Sequence, residues 1–184
     1  MKIDLQDLVL SPKILKAGQR ILLSGTVYTA RDAAHKRIIA MLDSGSAVPF
    51  NLKNAVIYYC GPSPAKPGAV IGACGPTTSS RMDVFTPKIL KEGAKFLIGK
   101  GARSEAVVNS IKENGAIYLV ATGGAAALLS KTVKKADLIA FEDLGPEAVY
   151  RLEVKDMPLI VAIDSAGSNI FKLNKTATLQ KNTH

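Results

Sequence analysis

The sequence predicts a mixed α/β domain, with a mixed sheet and flanking helices, from its composition and from the alternation of its elements. Of its 184 residues, 47% are hydrophobic and 21% are charged, so the chain is too apolar to be disordered. From about residue 95 onward, short apolar strands alternate with helical patterns. The length suits one domain and no linker divides the chain, so we expect a single domain over 1–184.

The first clear unit is a strand followed by a helix. The segment RILLSGTVYT, Arg20–Thr29, is apolar and β-branched, and it predicts a strand. Apolar residues then recur at every fourth position: Ala30, Ala34, Ile38 and Leu42. This spacing predicts a helix over 31–42 with one buried face.

Two segments in the middle of the chain resemble each other. Residues 55–60 and 69–74 both read as short apolar strands that end at a Gly-Pro turn. The link between them is too short for a parallel crossover, so strands that pair directly here must be antiparallel. The repeat therefore suggests a local hairpin.

The remaining elements follow in a regular order. A helix is predicted over 81–92, and Pro87 inside it indicates a kink or a late start. The later predictions are strands at 95–98, 116–121, 137–141, 150–154 and 159–163, helices at 104–113 and from Gly124 to about 130, and a frayed polar tail over about 172–184.

Several functional classes are disfavoured. The net charge is +9, but the cations are scattered and mostly Lys, and aromatics are only 5%, so nucleic-acid binding is not favoured. The charge is equally consistent with attraction of small anions or with a solvated lysine surface. No apolar run suits a membrane helix and the first residues do not resemble a secretory signal, so we expect a cytoplasmic protein with no membrane contact. Cys60 and Cys74 match no metal spacing and are expected to be unpaired thiols.

The most informative segment is GPTTSSRMD, residues 75–83. It places four hydroxyls, including those of Thr77 and Thr78, just before a predicted helix that starts at Arg81. Hydroxyls and free N–H groups at a helix start can bind an anion, and a guanidinium suits a carboxylate. The alternative is an N-cap cluster, although capping needs only one hydroxyl.

A second polar cluster lies in the first turn of the helix at 31–42. Asp32 suits a helix N-terminus, whereas Arg31 does not, because the helix dipole disfavours cations there. Arg31, with Asp32 and His35 nearby, is therefore either a ligand-binding residue or one partner of a surface ion pair.

A third candidate is Lys100, between two glycines after a predicted strand. The segment does not match a phosphate-binding loop, because a glycine follows the lysine where Ser or Thr should stand. Lys100 can still act in a cleft as a charge or a proton donor. Together the hydroxyls, Arg, Lys and His can bind a dianion and move a proton.

These segments resemble the β subunit, or C-terminal domain, of the class I iron–sulfur-dependent fumarases and L-tartrate dehydratases. The matching runs are SGTVYTARDAAHKR (24–37), YYCGPSPAKPG (58–68), GPTTSSRMD (75–83), IGKGARS (98–104), TGGAAALLSK (122–131) and MPLIVAIDSAGSNIF (157–171). They extend over most of the chain.

The resemblance implies a swivelling β/β/α-type fold and a separate α subunit as partner. That subunit would bind a [4Fe–4S] cluster through three cysteines, and this chain would bind no cofactor or metal. The substrate would be a dicarboxylate. The resemblance favours reversible hydration of fumarate to L-malate, with conversion of tartrate to oxaloacetate as the alternative. A non-catalytic anion-binding module is a further alternative.

The resemblance also implies roles for individual residues. Thr77 would be the base that moves the C3 proton. Arg81 would supply a positive electrostatic field and could also hold a carboxylate. Arg31 would grip a substrate carboxylate, with Asp32 and His35 supporting it. Lys100 would bind substrate or transfer a proton, and Thr78 would contribute to substrate binding.

Overall fold

The computed structural model describes residues 1–10, 14–121 and 126–172. Within these residues the strands are β1 (Lys2–Asp4), β2 (Arg20–Thr29), β3 (Val56–Tyr58), β4 (Phe96–Gly99), β5 (Ile117–Val120), β6 (Val133–Ala140) and β7 (Val149–Ile163). The helices are α1 (Leu5–Leu10), α2 (Asp32–Asp43), α3 (Thr86–Lys91), α4 (Glu105–Glu113) and α5 (Ala126–Thr132), with short 3-10 turns at Ser79–Met82 and Glu142–Glu147. No helix in the described part of the chain is long and apolar enough to cross a membrane.

The long strand β7 closes the sheet into a barrel-like ring. The neighbours β1 to β5 are parallel, in the order β1-β2-β3-β4-β5. Strand β7 pairs antiparallel with β2 on one side, and with β5 and β6 on the other. The result is a mixed sheet with flanking helices, which confirms the predicted α/β class.

Alternating side chains build two apolar clusters, one on each face of the sheet. The first takes alternate residues from all strands of the ring, such as Tyr58, Ile98 and Leu119, and fills its interior. The second takes the opposite residues, such as Tyr118, and packs them against α2, α3 and α4. Ala34 and Ile38 of α2 are fully buried in this second cluster, so the predicted helix face is confirmed.

The predicted hairpin at 55–74 is wrong. Residues 56–58 form β3, but 69–74 form no strand. The two segments do run antiparallel, through an isolated bridge between Cys60 and Pro76. A ladder does not develop because β3 already pairs with β2 along one edge and with β4 along the other, so neither edge is left for 69–74.

The two strands predicted at 150–154 and 159–163 are one strand, β7. The residues between them include Pro158, and Asp156 has a positive φ of 54°. Three steps on β7, from Val154 to Met157, face two steps on β2, which is a bulge. Pairing to β2 on both sides of the bulge keeps the strand continuous.

Two further elements, α3 and β6, begin at residues other than those predicted. The helix predicted from Arg81 starts late, at Thr86, because Pro87 fits only in the first turn. Strand β6 begins at Val133, earlier than predicted, because β7 pairs with its polar first residues. Residues 122–125 and the predicted tail over 173–184 lie outside the described part of the chain.

Candidate functional site

The candidate residues gather where β2, β3 and β4 end side by side. Arg31 and Asp32 follow β2 at the start of α2, and Lys100 follows β4 directly. Because these strands are parallel, their carboxyl ends meet at one edge of the sheet. Residues distant in sequence thus share one rim.

The segment 75–80 crosses this rim and brings the threonines to it. The backbone N–H of Thr77 donates to the carbonyl oxygen of Tyr59, just after β3, at 2.7 Å. Thr78 forms an isolated parallel bridge with Lys100. The structure therefore brings Thr77, Thr78 and Lys100 together, although they come from two sequence motifs.

The four hydroxyls of this segment do not have one common role. Ser79 is buried, and its Oγ accepts from the backbone N–H of Lys100 at 2.9 Å and from the Tyr118 hydroxyl at 2.8 Å. A Cβ at Gly99 would lie 1.9 Å from that Oγ, so the glycine is needed for this close approach. Ser79 is therefore a structural residue.

The other three hydroxyls remain free of such bonds. Thr77 is half-buried, whereas Thr78 and Ser80 are exposed, and none of these hydroxyls has a hydrogen-bond partner among the described residues. Thr78 stands at the N-cap of the 3-10 turn without a side-chain capping bond. The capping interpretation is thus not supported, and the Thr77 and Thr78 hydroxyls are available to a ligand.

Asp32 links the two arginines of the site. Its Oδ1 accepts from Nε of Arg81 at 2.9 Å, and its Oδ2 lies 3.8 Å from Nη2 of Arg31. The Arg81 side chain is 51% exposed and that of Arg31 is 23% exposed. One carboxylate therefore holds two guanidiniums near each other at the surface of the rim.

Glu147 also holds Arg31, and the sequence analysis missed it. One carboxylate oxygen, Oε1, lies 3.3 Å from Nη2 of Arg31, and the other accepts from the backbone N–H of Ala33 at 2.8 Å. Glu147 lies in the turn before β7, more than a hundred residues from its partners, so no local motif indicated it. The ion pair of Arg31 is thus real, yet its buried Nε keeps no hydrogen-bond partner among the described residues.

His35 supports the main chain of Arg31 rather than its guanidinium. The buried ring packs against Tyr59 and Phe85, and Nδ1 lies 2.9 Å from the carbonyl oxygen of Arg31. A carbonyl can only accept, so Nδ1 carries the proton and Nε2 is unprotonated. Burial lowers the pKa of His35 from 6.5 to about 4, so the ring is neutral at physiological pH.

Arg103 is a second residue that the sequence analysis missed. Its side chain is fully buried, with Nε donating to Asp83 at 2.7 Å and Nη2 donating to Thr86 at 2.6 Å. The guanidinium also lies 5.0 Å from the Tyr118 ring centroid. It thereby joins the segment GPTTSSRMD to the loop that carries Lys100. An arginine three residues after Lys100 was the only local signal.

Lys100 itself is exposed, and its ammonium contacts no partner among the described residues. Three cations, Arg31, Arg81 and Lys100, thus lie along the rim with two carboxylates, Asp32 and Glu147. The net charge of +1 favours an anion. The free hydroxyls of Thr77 and Thr78 add hydrogen-bond donors and acceptors, so the rim can bind a carboxylate and transfer a proton.

The described residues do not form a metal site. Among residues 1–10, 14–121 and 126–172, no group of three or more His, Cys, Asp or Glu side chains could hold a metal ion. Cys60 and Cys74 are buried beneath the rim as free thiols.

Comparisons with known proteins identify the family. The model of the family described as fumarase C-terminus matches residues 1–174. Over 166 residues the chain is 42% identical to the Methanocaldococcus jannaschii protein named "Putative L(+)-tartrate dehydratase subunit beta", covering 87% of this chain and 85% of that protein.

Longer relatives match over part of their length. The chain is 38% identical over 156 residues to fumarate hydratase 2 of Leishmania major, covering 84% of this chain and 28% of that protein. It is 34% identical over 155 residues to the aerobic class I fumarate hydratase of Escherichia coli, covering 83% of this chain and 28% of that enzyme. The predicted resemblance is confirmed, and the chain belongs to the fumarase C-terminus family.

Proposed function

We propose that this chain is the β subunit of a two-subunit hydro-lyase that reversibly hydrates fumarate to L-malate. The observation that carries the proposal is the convergence of Arg31, Thr77, Arg81 and Lys100 on one rim of the sheet. A dicarboxylate needs cationic partners, and hydration of a double bond needs a proton donor or acceptor beside them. The names of the relatives support this reaction class.

Arg31 and Arg81 would bind the substrate carboxylates. A guanidinium can donate two parallel hydrogen bonds to a carboxylate, and Asp32 already fixes Nε of Arg81, which leaves the two Nη groups free to do so. Glu147 restricts Arg31 at Nη2 rather than at Nε. The two acidic residues thus pre-orient the cations, which lowers the entropy lost when substrate binds.

Thr77 would move the C3 proton, with Thr78 binding the substrate. A threonine hydroxyl is a very weak base, so Thr77 needs a cationic surrounding to favour loss of its own proton. Arg81, which directly follows the segment 75–80, and Lys100, which forms a bridge with Thr78, would provide that environment. Lys100 is exposed, so it can reach a substrate or return a proton.

The [4Fe–4S] cluster that the resemblance implies does not fit the described residues of this chain. Their two cysteines are buried in contact with each other, and no set of three metal-ligating side chains is present there. We therefore place the cluster on a separate α subunit, and we assign to this chain only substrate binding and proton transfer.

A second candidate is L-tartrate dehydration. One relative that matches this chain over most of both lengths is named as a putative tartrate dehydratase β subunit, whereas the fumarate hydratases compared above are much longer. Tartrate carries one more hydroxyl than malate, and the free hydroxyl of exposed Thr78 could bind it. The same rim would hold both substrates.

The test is anaerobic co-purification with the chain as bait, followed by assays with fumarate, malate and tartrate. We expect a brown partner subunit to co-purify and the complex to be active, while the isolated chain is inactive. The ratio of kcat/KM for malate and tartrate then identifies the substrate. A chain that recovers no partner and no activity would favour the non-catalytic anion-binding module instead.

A further inference from the structure

Cys60 and Cys74 have a chemistry that the proposed function does not use. Both side chains are fully buried, and their Sγ atoms lie 3.0 Å apart. A disulfide bond is about 2 Å long, so the two sulfurs need to approach by only about 1 Å. The pair is close enough for a bond in the native fold.

The backbone around the pair also favours a bond. Cys60 forms an antiparallel bridge with Pro76, and the N–H of Ser63 donates to the carbonyl oxygen of Ala73 at 3.0 Å. Both contacts belong to one register, in which Cys60 and Cys74 are diagonal neighbours on the same face. Their side chains meet because the two backbones are already held side by side.

The surroundings of the pair keep the Cys60 thiol protonated. The hydrogen bond to the Cys74 sulfur, reinforced by burial, raises the pKa of the Cys60 thiol. The Tyr58 hydroxyl donates to the carbonyl oxygen of Cys74 at 2.5 Å, which fixes the second backbone. A metal site is not supported, since the described residues offer no third ligand.

We propose that Cys60 and Cys74 form an intramolecular disulfide when the protein meets a peroxide. One cysteine, as its thiolate, attacks a peroxide oxygen and the O–O bond breaks. The hydroxide that leaves takes up the proton lost by the thiol, so a sulfenic acid and water form. The sulfur of the other cysteine then attacks the sulfenic sulfur, the S–S bond forms, and the hydroxyl leaves as a second water with the thiol proton. The two cysteines lose two electrons and hydrogen peroxide gains them.

The loop between the two cysteines determines how peroxide reaches them and how much the disulfide stabilises the protein. Residues 63–70 are all exposed, so local opening of this loop admits a molecule as small as hydrogen peroxide. The high thiol pKa makes the reaction slow. The disulfide would close the loop 60–74 in the unfolded chain, and we expect it to raise the midpoint of thermal unfolding by about 5–10 °C.

The experiment uses the full chain, reduced, freed of reductant and exposed to hydrogen peroxide. The chain is then denatured and alkylated with N-ethylmaleimide. Intact mass should show two adducts before oxidation and none after it, with both adducts restored by a phosphine reductant. Peptide mapping should find Cys60 linked to Cys74, and thermal unfolding should shift upward.

The matched control is Cys74→Ala, which removes one sulfur without adding a polar group to the core. It should form no intramolecular link and show no thermal shift after peroxide. Two thiols that still react with N-ethylmaleimide after oxidation, or oxygen adducts in place of the link, would overturn the proposal. If the variant does not fold, peptide mapping of the oxidised parent protein tests the Cys60–Cys74 link directly. The outcome of this oxidation experiment does not depend on the substrate proposed above, so the two proposals can fail separately.

Discussion

Nε of Arg81 donates a 2.9 Å hydrogen bond to Oδ1 of Asp32, although the two residues lie 49 positions apart in the chain. The same carboxylate lies 3.8 Å from the guanidinium of Arg31. Asp32 therefore sets the separation between the two cations that would bind the two ends of a dicarboxylate. Its contribution is geometric, since its charge by itself would repel the substrate.

Replacing Arg81 by Ala should abolish most turnover while the complex still assembles. The guanidinium is half exposed and faces the rim, so its loss leaves the core intact. We expect kcat/KM to fall by about 100-fold or more, as when a charged transition-state donor is removed. The assay is fumarate hydration by the reconstituted complex. Lys91→Ala, at the exposed end of α3, is the control, and equal activity in the two variants would remove Arg81 from the site.

Asp32→Asn and Asp32→Ala should differ, which separates geometry from charge. Asn keeps an oxygen that can accept from Arg81, whereas Ala frees Arg81 and leaves Arg31 held by Glu147 alone. We expect Asp32→Ala to lower kcat/KM by about tenfold, the equivalent of one charged hydrogen bond, and Asp32→Asn to restore most of it. Steady-state kinetics of both variants provide the test. Equal losses in Asp32→Asn and Asp32→Ala would mean that the negative charge, and not the position of Arg81, matters.

Thr77→Val should inactivate the complex without changing its fold. Valine has nearly the same shape, and the Thr77 backbone N–H keeps its bond to Tyr59. We expect a loss in kcat of about 100-fold, typical of removing a proton-transfer group, with partial rescue by Thr77→Ser. Ser80→Ala, an exposed hydroxyl in the same segment, is the matched control. An active Thr77→Val complex would exclude Thr77 as the base.

Arg103→Met should destabilise the chain much more than Arg37→Met. Arg103 is fully buried against Asp83, and its removal leaves that carboxylate without a cationic partner. Breaking a buried ion pair costs about 3–5 kcal/mol of unfolding free energy. Arg37 pairs with Asp143 at the surface, where both side chains are exposed, so its loss should cost less than about 1 kcal/mol. Urea unfolding of both variants measures the difference, and equal costs would contradict the structural role of Arg103.

Lowering the pH should reduce the free energy of unfolding, because His35 is buried in its neutral form. Its pKa is lowered by burial to about 4, whereas an exposed His titrates near 6.5. The unfolded chain therefore binds a proton first as the pH falls, and stability is lost between about pH 6.5 and 4. The loss from this residue is about 3 kcal/mol.

The measurement is urea unfolding of the parent chain and of His35→Gln across that range. The parent should lose more stability on acidification than the variant, because the variant cannot titrate. Lys36→Gln, an exposed neighbour on α2, should behave like the parent. Parallel pH profiles for the parent and His35→Gln would show that His35 is not buried in its neutral form.

The local elements were largely predictable from the sequence. The bounds of β2, the buried face of α2 and, to within one residue, the extent of α4 follow from side-chain periodicity, which acts over a few residues. The candidate residues Arg31, Thr77, Arg81 and Lys100 stood out because each follows a strand or opens a helix. The roles assigned to them remain predictions.

The errors share one physical cause. A hairpin was expected at 55–74 because two apolar runs looked alike, yet β2 and β4 occupy both edges of β3, so no edge is left for residues 69–74. Conversely, a strand break was expected near Pro158, yet pairing of β7 with β2 kept the strand continuous through a bulge. In both cases backbone hydrogen bonds to a distant partner decided the outcome.

The sequence by itself determined the α/β class, most helices and strands, and the residue types that can bind a dianion. Only the tertiary structure decided that β7 closes the sheet, that Glu147 holds Arg31, and that Arg103 joins two motifs. It also showed that Ser79 is structural while the hydroxyls of Thr77 and Thr78 stay free. Propensity and periodicity are short-range properties, whereas these contacts link residues far apart in sequence through the closure of the sheet.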